Sequence, residues 1–217
     1  LWVSDAYEAV AVAEHAAKSG DTKASVMYMN DNPAGESLKD VFVETFEEHD
    51  GSVTAIEGVA SSDSSFATQV DKMLRGDPEA VYLALTPQQM PEAIGQLREH
   101  GFEGTIYAYG PGVTAEGIPG KIADKEGIYY AVPENVRETS FWKDYEQDTG
   151  EEPGLLAALG HDSFTMIKEG IEACGDDQEC MMEHFSTKRD LQSTRGPLKF
   201  DEHGDLTEVP FRVESLD

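Results

Sequence analysis

The chain has 217 residues, 39 % of them hydrophobic, enough to build a core in one large domain or two small ones. Its 43 acidic residues against 16 basic ones give a formal net charge of −27, so it lacks the basic face that binding to nucleic-acid phosphates or to anionic lipid requires. The acid is spread along the whole chain and describes a solvated surface; salt would screen its self-repulsion, which points to a protein suited to high salt.

No apolar run approaches the ~20 residues of a membrane span. The chain opens "LWVSDAYEAV", with neither a basic stretch nor a start methionine, and is expected to be a processed or truncated product. Residues 5–18, "DAYEAVAVAEHAAK", predict an Ala-rich helix. "ASVMYMN" (24–30) predicts a buried strand, and "GESLKDVFVETFEEH" a helix with Leu38, Val41, Phe42, Thr45 and Phe46 at helical spacing. "GSVTAIEGV" (51–59) alternates as a strand does. "SSDSSFATQVDKMLRGD" carries several N-cap residues, then Phe66, Val70, Met73 and Leu74 on one face, with Gly76 and Pro78 to end the helix. "EAVYLAL" reads as a strand, "PQQMPEAIGQLREHG" as a helix closed by Gly101, and "GTIYAYG" and "KEGIYYAVP" as strands. Four such alternations predict a parallel sheet with helices on both faces.

The pattern then changes. "ETSFWKDYEQDTG", "PGLLAALGHDSFTMIKEGIEACG" and "DQECMMEHFSTK" predict three helices with little strand between them. "RGPLKFDEHGDLTEVPFRV" (195–213) reads as a hairpin: Leu198 and Phe200 in one strand, Val209, Phe211 and Val213 in the other, and "DEHGD" as the turn. Five residues lie between Cys174 and Cys180 in "CGDDQEC", a spacing that allows a disulfide. Two unpaired thiols are the alternative, and zinc lacks the further Cys or nearby His it would need. A disulfide would place the protein outside the cytoplasm.

Little in the residues points to catalysis. His15, His49, His100, His161, His184 and His203 show no metal-ligand spacing, and no metal or cofactor is expected. His49 and His100 sit at helix ends, where a cation suits the dipole. His161, inside an apolar helix, is either a satisfied core residue or a ligand contact. There is no G-x-S-x-G elbow, and "GPGVTAEGIPG" (110–120) lacks the spacing and the Lys of a phosphate loop. Asp201 and Asp205 in "FDEHGD" lack the length and the later Glu of a calcium loop, so turn chemistry accounts for them. In open α/β sheets, ligands bind outside the carboxyl ends of the strands. Those ends here are "MNDNPAG" (29–35), "ALTPQQ" (84–89) and "YAYGPG" (107–112).

The order of segments resembles the type I periplasmic substrate-binding proteins of ABC transporters, in the branched-chain amino-acid binding family. Residues 24–74 are similar to its strand, D-x-x-Y-G-x-x-hydrophobic helix start, next strand and D-F-S-x-x-hydrophobic helix. "DPEAVYLAL…IGQLREHGF" resembles its next unit, "AALGHDSFTMIKEGIEACG" its G-Y-D-A helix, and "RGPLKFDEHGD" its G-x-hydrophobic-x-F-D-x-x-G-D hairpin.

The resemblance implies an α/β fold: a Rossmann-like parallel-sheet lobe of a type I periplasmic-binding-protein fold, with returning helices and a C-terminal hairpin. It maps residues 1–131 to a second ligand-binding lobe, 132–208 to a segment returning to an incomplete first lobe, and 209–217 to a C-terminal strand or hinge. It also implies a non-enzymatic solute-binding protein that captures an amino acid or other small organic solute between two lobes. The implied partner is a membrane permease, with no nucleic acid involved. The location would be periplasmic or extracellular, a lipid anchor on the full-length protein being left open. A ligand-sensing domain that signals to a receptor is the alternative. The implied ligand contacts are Asn32, Ala34, Thr86, Tyr109, Gly110 and His161. Four positions depart from the family. Ala34 replaces an aromatic, Thr86 or Pro87 replaces another, and Gly110 stands where amino-acid binders place a carboxylate for the ammonium. His161 replaces a tyrosine. An uncompensated ammonium is costly to bury, so an α-amino acid suits this chain less well than it suits the family. The helices over 155–173 and 178–187 would lack a sheet to cover, exposing Leu155, Leu156, Leu159, Phe164 and Ile167.

Overall fold

A computed structural model describes residues 4–134, 139–187, 191–194, 196–200, 206–207 and 210–217. The chain divides into two compact units. Asp5–Val132 with Phe211–Asp217 form a sheet unit, and Leu1–Ser4 with Pro133–Pro210 form a smaller one.

In the sheet unit the order is α1 (Asp5–Ser19), β1 (Lys23–Met29), α2 (Pro33–Glu48), β2 (Ser52–Val59), α3 (Ala67–Leu74), β3 (Ala80–Ala84), α4 (Met90–Glu99), β4 (Thr105–Ala108), α5 (Gly110–Thr114) and β5 (Ile128–Pro133), with β9 (Phe211–Ser215) joining at the end. The strands lie in the order β2-β1-β3-β4-β5-β9. The first five are parallel, with pairs such as Val26 beside Ile56 and Tyr82, and Tyr107 beside Tyr82 and Tyr129. The order reverses between β1 and β3, which makes the carboxyl ends of those two strands the topological switch point.

Alternation along each strand builds two cores. Ala24 and Val26, Ala80, Tyr82 and Ala84, and Tyr107 face α1 and α2, where Val12, Leu38, Phe42 and Phe46 complete the packing. Met27 and Met29, Val81 and Leu83, and Ile106 and Ala108 face α3 and α4, against Phe66, Val70, Met73, Ile94 and Leu97. The Phe42 ring stacks on Tyr82 at 4.4 Å and on Phe46 at 5.7 Å. Each of these large side chains contributes roughly 1.5–3 kcal/mol through burial. The strands are apolar on both faces because both faces are covered.

Helix ends follow the local chemistry. Asn32 caps α2, its side chain accepting from the Ala34 amide at 2.9 Å, and Pro33 supplies the preset φ of the first turn. His49 and His100 close α2 and α4, each donating from Nδ1 to the carbonyl four residues back, Thr45 at 2.9 Å and Gln96 at 2.8 Å. Both stand at helix ends, as their places in the sequence suggest. Gly35 is required by contact: a Cβ there would stand 2.2 Å from the Met29 carbonyl oxygen, so the first turn of α2 packs directly on the end of β1.

The smaller unit holds α6 (Ser140–Thr149), α7 (Leu155–Cys174), α8 (Gln178–Thr187), β6 (Leu191–Ser193), β7 (Gly196–Phe200) and β8 (Leu206–Thr207). Cys174 and Cys180 are disulfide-bonded, with Cα atoms 5.7 Å apart, joining the end of α7 to α8. On α7 and α8, Leu156, Phe164, Ile167, Ile171 and Met182 are exposed. The Leu155 side chain lies outside the described residues, and Leu159 is half-buried.

The late hairpin differs from expectation. The strand β7 does pair antiparallel, with β6 on one edge and β8 on the other, placing Phe200 beside Leu206. The second strand is not the apolar run ending at Val213. That run becomes β9 in the sheet unit, where Leu216 donates to the Ile128 carbonyl at 2.9 Å and Phe211 and Val213 pack on the α1 side of the sheet. Pro210, which has no amide hydrogen to give a ladder, marks the change of sheet. The turn residues 201–205, with Asp201, His203 and Asp205, and also Val209, lie outside the described residues.

Candidate functional site

Five of the six expected contacts stand at the carboxyl-end edge of the six-stranded sheet. Asn32 and Ala34 begin α2 after β1, Thr86 follows β3, and Tyr109 and Gly110 follow β4. Hydrogen bonds tie these connections to one another. The Asp31 carboxylate accepts from the Ser61 amide at 3.0 Å and from its hydroxyl at 2.6 Å, linking the turn after β1 to the turn after β2. Those bonds favour the charged form and hold its pKa below the ordinary value. The Thr86 hydroxyl donates to Gln89 Oε1 at 3.0 Å, and Gln89 Nε2 donates to the Ala60 and Asp63 carbonyls at 2.8 and 3.2 Å. The buried Gln89 thus fastens the corner after β3 to the turn after β2.

The corner after β4 is held from the other side, by the first turn of α1. Tyr109 is half-buried and donates its hydroxyl to Asp5 Oδ2 at 3.2 Å. The Gly110 amide donates to Glu8 Oε1. Burial pushes the Tyr109 hydroxyl's pKa up, with the neighbouring carboxyl groups of Asp5 and Glu8 adding to it. Burial also pushes the Glu8 pKa up to about 8, although the Gly110 amide opposes the shift. Burial thus favours its neutral acid form well below that pH. The Tyr82 hydroxyl, fully buried in β3, has no hydrogen-bond partner among the described residues. Burial and the charges of Glu8 and Asp5 raise its pKa.

His161 belongs to the smaller unit, on α7. Its side chain is half-exposed and its ring centroid lies 4.7 Å from that of Phe141. It is therefore not the buried core histidine that was one of its two readings. The neighbouring Asp162 is buried. It accepts from the Thr194 amide at 2.7 Å and from its hydroxyl at 3.0 Å, while Thr139 and Trp142 donate to the Thr194 carbonyl. A hollow of about 280 Å3 opens here, lined by Phe141, His161, Thr165 and Gln192 among others. At the opposite end of the sheet from Tyr109, a wider hollow of about 640 Å3 lies beside Arg98. The guanidinium there donates from Nη1 and Nη2 to the carbonyls of Phe102, Gly104 and Glu126 at 2.7–3.0 Å, so these donors serve the fold.

Glu8, Tyr82 and Phe141 were not among the expected site residues. Glu8 had a signal: it shares a helix face with Val12, four residues on, in an Ala-rich stripe. An acid in a first turn reads as a dipole partner, however, and that reading hides its burial.

Residues 1–213 match the family model described as periplasmic binding protein. The leucine-, isoleucine-, valine-, threonine- and alanine-binding protein of Pseudomonas aeruginosa is 25 % identical over 187 residues, 82 % of this chain and 49 % of that protein. A leucine binding protein from Thermotoga maritima superposes with a TM-score of 0.83 at 24 % identity, over 97 % of this chain and 62 % of that one. A solute binding protein of an ABC transporter from Rhodopseudomonas palustris, solved with p-hydroxybenzoic acid, superposes with a TM-score of 0.79 at 18 % identity, over 97 % and 60 %. The chain thus spans about half to two thirds of the length of these relatives. With its parallel sheet and a family match running almost from end to end, the chain belongs to the periplasmic binding protein family.

Proposed function

We propose that the chain is part of an extracytoplasmic solute-binding protein that captures a small organic molecule and delivers it to the permease of an ABC transporter. The observation that carries this reading is the edge at the β1/β3 switch point. There, four connections are braced by side chains, and helix α2 begins beside them with Asn32 as its cap. The proposed contacts from this edge are Asn32, Ala34, Thr86, Tyr109 and Gly110, and His161 is the proposed contact from the smaller unit.

The same residues argue for the ligand class. Position 110 has no side chain, and Glu8, the carboxyl beside it, is buried with its pKa pushed up to about 8, so neither position offers a carboxylate to an α-ammonium. Ala34 leaves room, and Tyr109 offers an aromatic wall with a polar tip. A neutral, aromatic or organic-acid solute fits these features better than an α-amino acid. The Rhodopseudomonas protein bound to p-hydroxybenzoic acid supports that class within the fold.

Calorimetric titration with leucine, benzoate and 4-hydroxybenzoate, after mass spectrometry of small molecules released from the denatured protein, tests the reading. The expectation is that an aromatic acid binds more tightly than leucine. Tyr109→Ala and His161→Ala should each weaken it by more than ~1 kcal/mol with the fold intact, as for an anchor in a desolvated site. Affinity unchanged by both substitutions would refute the site, and tighter binding of leucine would refute the ligand class.

A further inference from the structure

The corner that carries Tyr109 and Gly110 is not held by its own strand alone. Two acids one helical turn apart on α1 reach it: Asp5 takes the Tyr109 hydroxyl and Glu8 takes the Gly110 amide. The fit at Gly110 is close. A Cβ there would lie 2.7 Å from the Ala131 carbonyl oxygen and 3.1 Å from Glu8 Oε1. The carboxyl of Glu8 therefore sits against the place where any side chain at 110 would begin, and the corner and Glu8 require each other.

The surroundings of Glu8 are apolar. It is 4 % exposed. The titratable groups that act on it or feel its charge are Asp5 from its own helix, Tyr82 from β3 and Tyr109 after β4. The elements α2 and β9, which also pack on α1, bring Leu38, Phe42, Phe46, Phe211 and Val213 to the same cluster. Among the described residues, none of these groups is a cation. Among the described residues, a carboxylate in such a place would face one amide donor and a second acid, whereas a carboxylic acid fits it.

We propose that Glu8 is the positioning residue of the Tyr109–Gly110 corner and works as a neutral acid, so that the corner, and ligand capture with it, depends on a proton. The part that concerns capture rests on the solute-binding function proposed above. With its proton, Glu8 stays under the corner and Gly110 and Tyr109 keep their place. Without it, the charge is relieved by the first turn of α1 swinging the carboxyl toward water. Asp5 lies on that same turn, so its hold on Tyr109 loosens together with the bond to Gly110. The direction is set by chemistry: the corner is ordered on the acid side of the Glu8 pKa and loosens on the alkaline side.

The test uses the whole chain, labelled with nitrogen-15, and follows the amides of Tyr109, Gly110 and Ala131 from pH 5 to pH 10. The expected result is a shared titration with a midpoint near 8, absent in Glu8→Gln, whose amide oxygen can still accept from Gly110. In Asp5→Asn the midpoint should move down, because a like charge is removed. A midpoint between 4 and 5, or a titration that persists in Glu8→Gln, would overturn the assignment. If Glu8→Gln does not fold, carbon-13 labelling of the glutamate carboxyls in the unaltered chain decides: one should titrate near 8, and if all titrate near 4 the proposal is wrong. A ligand arm repeats the calorimetry with leucine and 4-hydroxybenzoate at pH 6.5 and 9. The expectation is an affinity at least threefold weaker at pH 9 for the unaltered chain and unchanged in Glu8→Gln. Corner amides that titrate while neither solute binds would leave the positioning role standing and bring down the solute-binding reading. A pH-independent affinity would bring down the link between the corner and capture.

Discussion

Replacing Glu8 by Gln should make the protein more stable at neutral pH, although it removes a buried hydrogen-bonding acid. The Glu8 pKa is about 8 in the folded chain against an ordinary value of 4.5. Between those two values the folded state holds a proton that the unfolded state has released, so stability falls as pH rises through that window and is level on either side of it. Each tenfold difference in proton affinity between the two states is worth about 1.36 kcal/mol. The stability forgone is thus about 3 kcal/mol at pH 7 and about 4 kcal/mol at pH 8, levelling near ~5 kcal/mol above it, as orders of magnitude. Gln keeps the acceptor for the Gly110 amide and does not ionise, so it escapes this loss. Urea unfolding of both proteins at half-unit steps from pH 4 to pH 9 reads the difference directly. Using the difference matters, because the other acidic residues also make stability pH-dependent and largely cancel between the two proteins. The variant should match the parent within about 1 kcal/mol near pH 4.5 and exceed it by roughly 2–3 kcal/mol at pH 7. A gap that stays constant from pH 4.5 to pH 8 would show that the carboxyl titrates as an exposed one does, and the burial argument would be refuted.

Three further outcomes follow from other features. Tyr82→Phe removes a buried hydroxyl that has no partner among the described residues and keeps the ring stacked on Phe42, so it should be neutral or stabilising by about 1 kcal/mol; a loss above 1 kcal/mol in urea unfolding would reveal a partner for the hydroxyl. With 43 acidic residues against 16 basic ones, the melting temperature should rise from low to molar salt as self-repulsion is screened; a flat profile would contradict this. Leu156 is 77 % exposed and Phe164 68 %, so the chain alone should bind a hydrophobic dye and associate with rising concentration; a dye-silent monomer in sedimentation would oppose that.

Much of the sheet unit was legible because its signals are local. Apolar strands of four to eight residues alternate with helices whose buried positions recur at 3.6, and Gly76, Pro78 and Gly101 punctuate them as short-range rules require. The last strand was not legible in the same way. Phe211 and Val213 alternate correctly for a strand, yet alternation does not say which strand lies beside it. The open edge of β5 decided that, and it belongs to a distant part of the chain. The candidate site shows the same split. Asn32 and Tyr109 at strand ends can be read from sequence. That Thr86 spends its hydroxyl on Gln89, and that the Gly110 amide is taken by Glu8, follows from packing between elements.

The position of β9 also sets the order in which this chain can be completed during synthesis. Residues 5–132 emerge before residues 211–215 and hold five of the six strands of their sheet, but the strand that covers β5 comes from those later residues. Until these emerge, the newly made sheet presents β5 as a bare edge of unpaired backbone groups, the kind of edge that pairs with neighbouring chains. The intervening smaller unit must be made before the gap can close, and the closing contact between Ile128 and Leu216 is among the most distant along the chain, which makes it slow to form. A nascent or truncated product ending before Phe211 would therefore be the form most in need of a chaperone.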